Sequence, residues 1–211
     1  IKSIKDIEDR DIEEKDITEE NIEKLRNMVL PVFEEKKISE MEELILKARE
    51  DGDSIGGVIE VMATGVPAGI GDPFFESMES ELSRMIFSVP ATKGIEFGAG
   101  FDIARMTGYE ANDEMYYDAD GRVKSYTNNN GGITGGITNG MPISFKVAIK
   151  PPASIERKQK TVNLETKTND FLEVRGRHDP VIVPRAVVVI EAATAIVILD
   201  RLMESQKNRG L

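Results

Sequence analysis

The feature that most limits how this chain can fold is its last apolar run. Residues 184–207 read as one helix, and within it Val187 to Leu199 is broken only by Glu191 and Thr194. The first half of that helix is apolar nearly all round, which predicts that it is buried. The run is too short to cross a bilayer. Directly before it stands Gly176-Arg177-His178-Asp179-Pro180, which places a fixed cation, the single histidine and a carboxylate in one tight turn. Pro180 stops the turn from continuing as regular structure. A loop that presents charged groups from a rigid base is where sites sit. A plain surface turn ahead of a helix fits the same residues.

The 211 residues make one large domain or two small ones, and 40% hydrophobic content is enough for a core. With no cysteine, disulfides and thiolate chemistry are excluded, and one histidine excludes His-rich metal sites. No cleavable signal pattern opens the sequence, so the expected compartment is cytoplasmic. The formal charge of −11 is unevenly spread: residues 121–211 carry a net +6. A locally positive third attracts anionic ligands. The acidic whole, without interleaved aromatic and basic residues, argues against nucleic acid as a partner.

Residues 1–50 read as a charged helical segment. Thr18 opens one helix, with Ile22, Leu25, Met28 and Val29 on its apolar face. Ser39 and Glu42 form a capping box for a second, which Gly52 stops. Residues 53–64 read as a strand and 65–73, rich in Gly and Pro, as a loop. Residues 74–89 read as a helix whose methionines fill the core. Residues 115–126 form a hairpin around Asp120-Gly121. Ile143, Phe145, Val147 and Ile149 alternate as a strand. It ends at Lys150-Pro151-Pro152-Ala153-Ser154, a rigid turn with a cation and a hydroxyl. Further strands fit 161–164 and 171–175. Residues 127–140, with five glycines, lack the dinucleotide-binding GxGxxG spacing. Their backbone amides can lie against a flat or anionic ligand, or the stretch can be a structural loop with left-handed residues.

Taken in order, Gly52-Asp53-Ser54-Ile55-Gly56-Gly57, Gly65-Val66-Pro67-Ala68-Gly69-Ile70-Gly71-Asp72-Pro73, Ser88-Val89-Pro90-Ala91-Thr92-Lys93-Gly94, Asn128-Asn129-Asn130-Gly131-Gly132-Ile133-Thr134-Gly135-Gly136, the 150–154 turn and the 176–180 turn resemble the chorismate synthase family. Order, spacing and identity agree from about residue 53 onward, which makes 53–211 the motif-bearing core. The resemblance implies an α+β fold in which antiparallel sheets sandwich helices, assembled as a homotetramer. It implies a lyase of the shikimate pathway and aromatic amino acid biosynthesis. Such an enzyme converts 5-enolpyruvylshikimate 3-phosphate to chorismate and phosphate by a 1,4-anti elimination that needs reduced FMN; NADP is an associated nucleotide. By similarity, Pro90, Ala91, Asn128, Gly135, Lys150, Pro151, Pro152, Ala153, Ser154 and Arg177 hold the flavin. Arg177 also serves the substrate, and Asp179 is the catalytic carboxylate at flavin nitrogen 5. No metal is implied.

Those residue types suit the task. Arginine is an always-charged fork for carboxylates and phosphate. A carboxylate among cations stays ionised, as a base must. His178 reads as structural, because the family's catalytic histidines sit in other motifs. Those motifs, Gly-x-Ser-His-Gly and Ser-Ala/Gly-Arg-Glu-Thr, do not occur in this sequence. The chain is therefore expected to correspond to the C-terminal part of one chorismate synthase domain. Two functional classes stay open: the flavin-dependent lyase, and a truncated flavin-binding or assembly module that needs a separate N-terminal half.

Overall fold

A computed structural model describes residues 3–4, 7–176 and 178–208. The strands are β1 (Ser3–Ile4), β2 (Ile7–Glu8), β3 (Gly57–Ala63), β4 (Thr92–Phe97), β5 (Met115–Tyr117), β6 (Val123–Ser125), β7 (Ile133–Thr134), β8 (Ile137–Thr138), β9 (Ile143–Ile149), β10 (Gln159–Asn163) and β11 (Thr168–Leu172). The α-helices are α1 (Glu19–Arg26), α2 (Lys36–Glu50), α3 (Met78–Ser88), α4 (Gly108–Ala111) and α5 (Val183–Asn208), with 3-10 turns at Glu14–Asp16 and Gly100–Arg105.

One sheet organises the described residues, in the order β2-β1-β3-β9-β4, and every neighbour pair is antiparallel. Its axis is β9, because alternate residues bury on one face: Ile143, Phe145, Val147 and Ile149 are each at most 3% exposed. β3 pairs with β9 without interruption from Gly57↔Ile149 to Ala63↔Ile143. β4 covers the other edge through an irregularity between Thr92 and Gly94. Helices α3 and α5 pack on the apolar face of this sheet and on each other. Met78, Leu82 and Ile86 from α3 and Ile190, Ala193 and Val197 from α5 complete the core. Three antiparallel hairpins, β5–β6, β7–β8 and β10–β11, stand apart from the main sheet.

The mixed helix and antiparallel sheet architecture is as expected. The described residues supply one large sheet, so the helices have a sheet on one side only. That changes the reading of α5. Its buried stripe is narrow: Val188 (59%) and Val189 (46%) in its first half and Ile196 and Leu199 beyond it are exposed, so the apolar half is covered on one side and open on the other.

Several boundaries differ from the sequence reading. α1 starts as expected, with Thr18 Oγ1 accepting from the Asn21 amide at 3.2 Å, but it ends at Arg26 and leaves Val29 exposed. α2 begins at Lys36, three residues before Ser39. Ser39 therefore lies inside the first turn and donates to the Lys36 carbonyl instead of capping. α3 begins at Met78 with Ser77 as its cap, so Phe74 and Phe75 belong to the preceding loop and project outward. Asp53, Ser54 and Ile55 precede β3, and β10 and β11 pair two to three residues earlier than expected. Strands β1, β2 and β4 carry no clear alternation and were not expected.

Candidate functional site

The motifs collect at two ends of β9. Seven residues at about 3.3 Å each put those ends about 20 Å apart. Helix α3 spans the same interval, with Gly136 at its start and Ala91 just beyond its end.

At the C-terminal end of β9 the chain brings together four segments. The Lys150 amide donates to the Ala91 carbonyl at 2.9 Å, joining the 150–154 turn to the 88–94 segment. Ala91 takes a left-handed backbone, φ 72°, one of three non-glycine residues in the described chain to do so. The Ser54 hydroxyl donates to the Pro152 carbonyl at 2.5 Å, and the Glu156 amide donates to Gly52 at 2.9 Å. The Ile55 amide donates to the Pro180 carbonyl at 2.8 Å, and Ile55 pairs with Val181 as a parallel bridge. The segment at 52–56 therefore holds the 150–156 and 178–181 turns side by side. Gly56 is required there: a Cβ would stand 2.4 Å from the Ile149 carbonyl oxygen.

Between these turns and α2 lies a cavity of about 530 Å³, lined among others by Ser154, His178, Asp179 and Arg49. Asp179 pairs with Arg185 from the first turn of α5 and remains exposed. Arg157 pairs with Asp53 at 2.6 Å. His178 Nε2 is enclosed and has no hydrogen-bond partner. Lys150, Pro151, Ala153 and Ser154 are exposed, whereas Pro152 and Ala91 are half-buried. Arg177, expected to serve both flavin and substrate, lies outside the described residues. Among the described residues no group of three or more acidic or histidine side chains could hold a metal ion.

At the other end of β9 stand the loops 64–73 and 127–140. They are joined through Thr138, whose buried hydroxyl donates to the Pro67 carbonyl at 2.7 Å and accepts from the Ile70 amide at 3.0 Å. The glycine-rich stretch is mostly closed on itself. Asn128 Oδ1 accepts from the Gly132 amide and its Nδ2 donates to Pro142. The Gly131 amide donates to Asn128, and the Gly98 amide donates to Ser144. The backbones of Gly98 and Gly131 touch so closely that a Cβ on Gly98 would lie 2.1 Å from the Asn129 oxygen. Most of these amides face inward, and Gly135, exposed at the β7–β8 turn with open space over it, is the exception. Asn128 and Gly135 are thus not brought to Pro90, Ala91 and the 150–154 turn within one chain.

Asp113, which the sequence reading passed over, is the centre of this second cluster. It is 9% exposed and accepts four hydrogen bonds from the loop. Burial pushes its carboxyl up, but the bonds from Thr127, Asn130 and the Asn129 and Asn130 amides outweigh this and hold it below the ordinary range. The available signal was the Asn run itself, whose amides need an acceptor close by.

The sheet, its one-sided helices and the strand-end loop clusters define an α+β protein whose candidate site is assembled from turns and not from helix surfaces. The family model described as chorismate synthase matches residues 1–203, and the chain belongs to the chorismate synthase family. Chorismate synthase of Methanocaldococcus jannaschii is 53% identical over 165 residues, covering 78% of this chain and 44% of the relative. That of Dehalococcoides mccartyi strain BAV1 is 51% identical over 161 residues, covering 76% and 44%. A solved structure titled "Crystal Structure of Chorismate Synthase" superposes with a TM-score of 0.71 at 34% identity, covering 87% of this chain and 48% of that one. The chain spans about half the length of the curated relatives it matches. No helix among the described residues is long and apolar enough to cross a membrane.

Proposed function

We propose that the chain acts as the C-terminal part of a chorismate synthase. In this reading it is a carbon–oxygen lyase of aromatic amino acid biosynthesis that converts 5-enolpyruvylshikimate 3-phosphate to chorismate and phosphate. The supporting observation is that the 52–56, 88–94, 150–156 and 178–181 segments meet at one end of β9, beside a cavity of ligand size lined by Gly52, Ser154, His178 and Asp179.

Reduced FMN, the cofactor this family implies, fits the residues at that end. They offer the Lys150 cation, the Ser154 hydroxyl and exposed turn backbone, and the enclosed but unpartnered His178 Nε2 marks unfinished polar pairing beside the cavity. When bound, FMN supplies the electron-rich ring that lets the elimination proceed without net redox change. The protein's own contribution is positional. Lys150 and Ser154 would hold phosphate oxygens. Arg177 would take flavin or substrate anions as a bidentate fork. Asp179, kept next to Arg185, is a carboxylate able to hold or release a proton at the cavity rim. A flavin held there is beyond the reach of Asn128 and Gly135 in the same chain, so their contacts are proposed for the assembled protein. We assign that assembly as a cytoplasmic homotetramer with neither nucleic acid nor membrane as a partner.

A second reading has its own observation. The open apolar side of α5 indicates that the chain by itself lacks a covering layer, which favours a flavin-binding or assembly module completed by a separate N-terminal half. The two separate in one assay: anaerobic phosphate release from 5-enolpyruvylshikimate 3-phosphate with chemically reduced FMN. Release by this chain alone establishes a complete site. Release only after adding a polypeptide with the two absent motifs establishes the C-terminal part of a lyase. No release in either case, with FMN bound, leaves the binding module.

A further inference from the structure

We propose that Asp113 is a positioning residue: its carboxylate fixes the 128–136 loop and thereby sets where the exposed Gly135 turn stands. The loop has no regular ladder of its own before β7, and its backbone donors need acceptors. Asp113 supplies them from outside. Oδ1 accepts the Asn129 amide and the Thr127 hydroxyl, both at 2.7 Å. Oδ2 accepts the Asn130 amide at 3.0 Å and the Asn130 side chain at 2.8 Å.

Three of the four residues 127–130 are thus gathered onto one buried group. Asn129 is also held from its other side, by donation to the Glu110 carbonyl at 3.1 Å and by its own carbonyl accepting the Ala99 amide at 2.9 Å. With its first half fixed, the loop has one course left. Gly131 and Gly132 lie against Ser144 and Pro142 at the start of β9, and the Gly136 carbonyl accepts the Met78 amide at the start of α3. Gly135 is what this arrangement leaves facing outward. An ionised carboxylate suits the task better than an amide, because all four partners are donors and each carboxylate oxygen only accepts.

That the loop serves a flavin rests on the proposed function; that Asp113 sets its conformation does not. The test is Asp113→Asn, with Asn130→Ala as a milder second variant, in the full chain. Amide hydrogen exchange is read by NMR, and the Michaelis constant for reduced FMN is read in the complemented phosphate-release assay. Asn at 113 keeps the volume but turns a donor toward the Asn130 amide. Loss of charged hydrogen bonds of this kind gives at least about a tenfold effect. Expected is about tenfold or faster exchange at the 129 and 130 amides, with β9 amides unchanged and the melting temperature lowered by only about 2–4 °C. Alongside it the FMN constant rises by about tenfold, and the Asn130→Ala variant shifts both readouts the same way by less. Wild-type exchange rates at 129 and 130 in Asp113→Asn overturn the inference. So does loosened exchange with an unaltered FMN constant, which makes the loop purely structural. If the complemented wild type releases no phosphate, the lyase reading falls and exchange alone decides for or against Asp113.

Discussion

Ala91 holds a backbone conformation that a side chain disfavours, and it does so where its carbonyl receives the Lys150 amide. A left-handed alanine costs about 1–2 kcal/mol, which glycine avoids. Ala91→Gly should therefore raise the melting temperature by about 2–4 °C, measured by calorimetry; a lower value would remove strain from the account. Asp16 is a different case. Arg10 donates to it at 2.7 and 2.9 Å and the Glu13 amide at 2.9 Å, which together bring its pKa down to about 2 against the cost of burial. A depressed carboxylate contributes stability above its unfolded value near 4, and that contribution is lost as pH falls toward 2. Asp16→Asn should lower the melting temperature by about 2–4 °C at pH 7, with the gap closing as pH falls from 4 to 2. Asp179 is expected to matter to chemistry and little to stability, since its ion pair with Arg185 is exposed. In the complemented assay Asp179→Asn should cut turnover by roughly 10²-fold or more, a typical share for a proton-transfer group. Retained turnover in a folded variant would sink that role.

Among the elements, α5 has an unfinished surface. Ile196 and Leu199 are exposed on it, and two apolar channels run along the helix against β3, one of about 270 Å³ toward its start and one of about 320 Å³ toward its middle, which Leu199 lines. Exposed apolar stretches of this kind mark interaction surfaces. The double variant Ile196→Gln/Leu199→Lys should leave the isolated chain's melting temperature within about 2 °C of wild type, because exposed positions away from special features change stability little. It should nonetheless abolish rescue by the complementary polypeptide in the phosphate-release assay. A large loss of stability would show the face to be covered already. The legibility of the elements follows from the same physics. β9 and α5 were readable because a period of two and a dense apolar run are local signals. β4 was not, since Thr92, Lys93 and Gly94 have no alternation and the strand exists through its pairing with β9. Ser39 misled because Ser and Glu three residues apart also occur inside a first turn. At the candidate site, the motif order pointed to the Lys150 turn, Ala91 and Asp179, which the fold places at one end of β9. Asp113 and the separation of Gly135 from them depend on which strand end each loop leaves, and no spacing in the sequence carries that.

For the whole molecule, a charge of −11 and an open apolar side act against each other. Repulsion between like-charged copies keeps them apart at low ionic strength, and screening over about 10 Å at 0.1 M salt weakens it. Sedimentation of the chain alone should show weight-average mass rising with protein concentration, and rising further as salt goes from about 20 to 300 mM. A monomer at every salt concentration would mean that the face is too small or too curved to associate. The bridge between Ile55 and Val181 carries a further consequence, one of time. Its partners are 126 residues apart, and β3 reaches β9 across a gap of similar order. Contacts this distant in sequence incur their loop-closure entropy before they return any stabilisation, and they slow folding. A ribosome that has reached residue 150 has emitted β3 without the turn that will sit beside it. The end of the molecule where the four segments converge is thus expected to become native last, and a pause or cleavage ahead of α5 is expected to leave a chain with its sheet but without the converged turns.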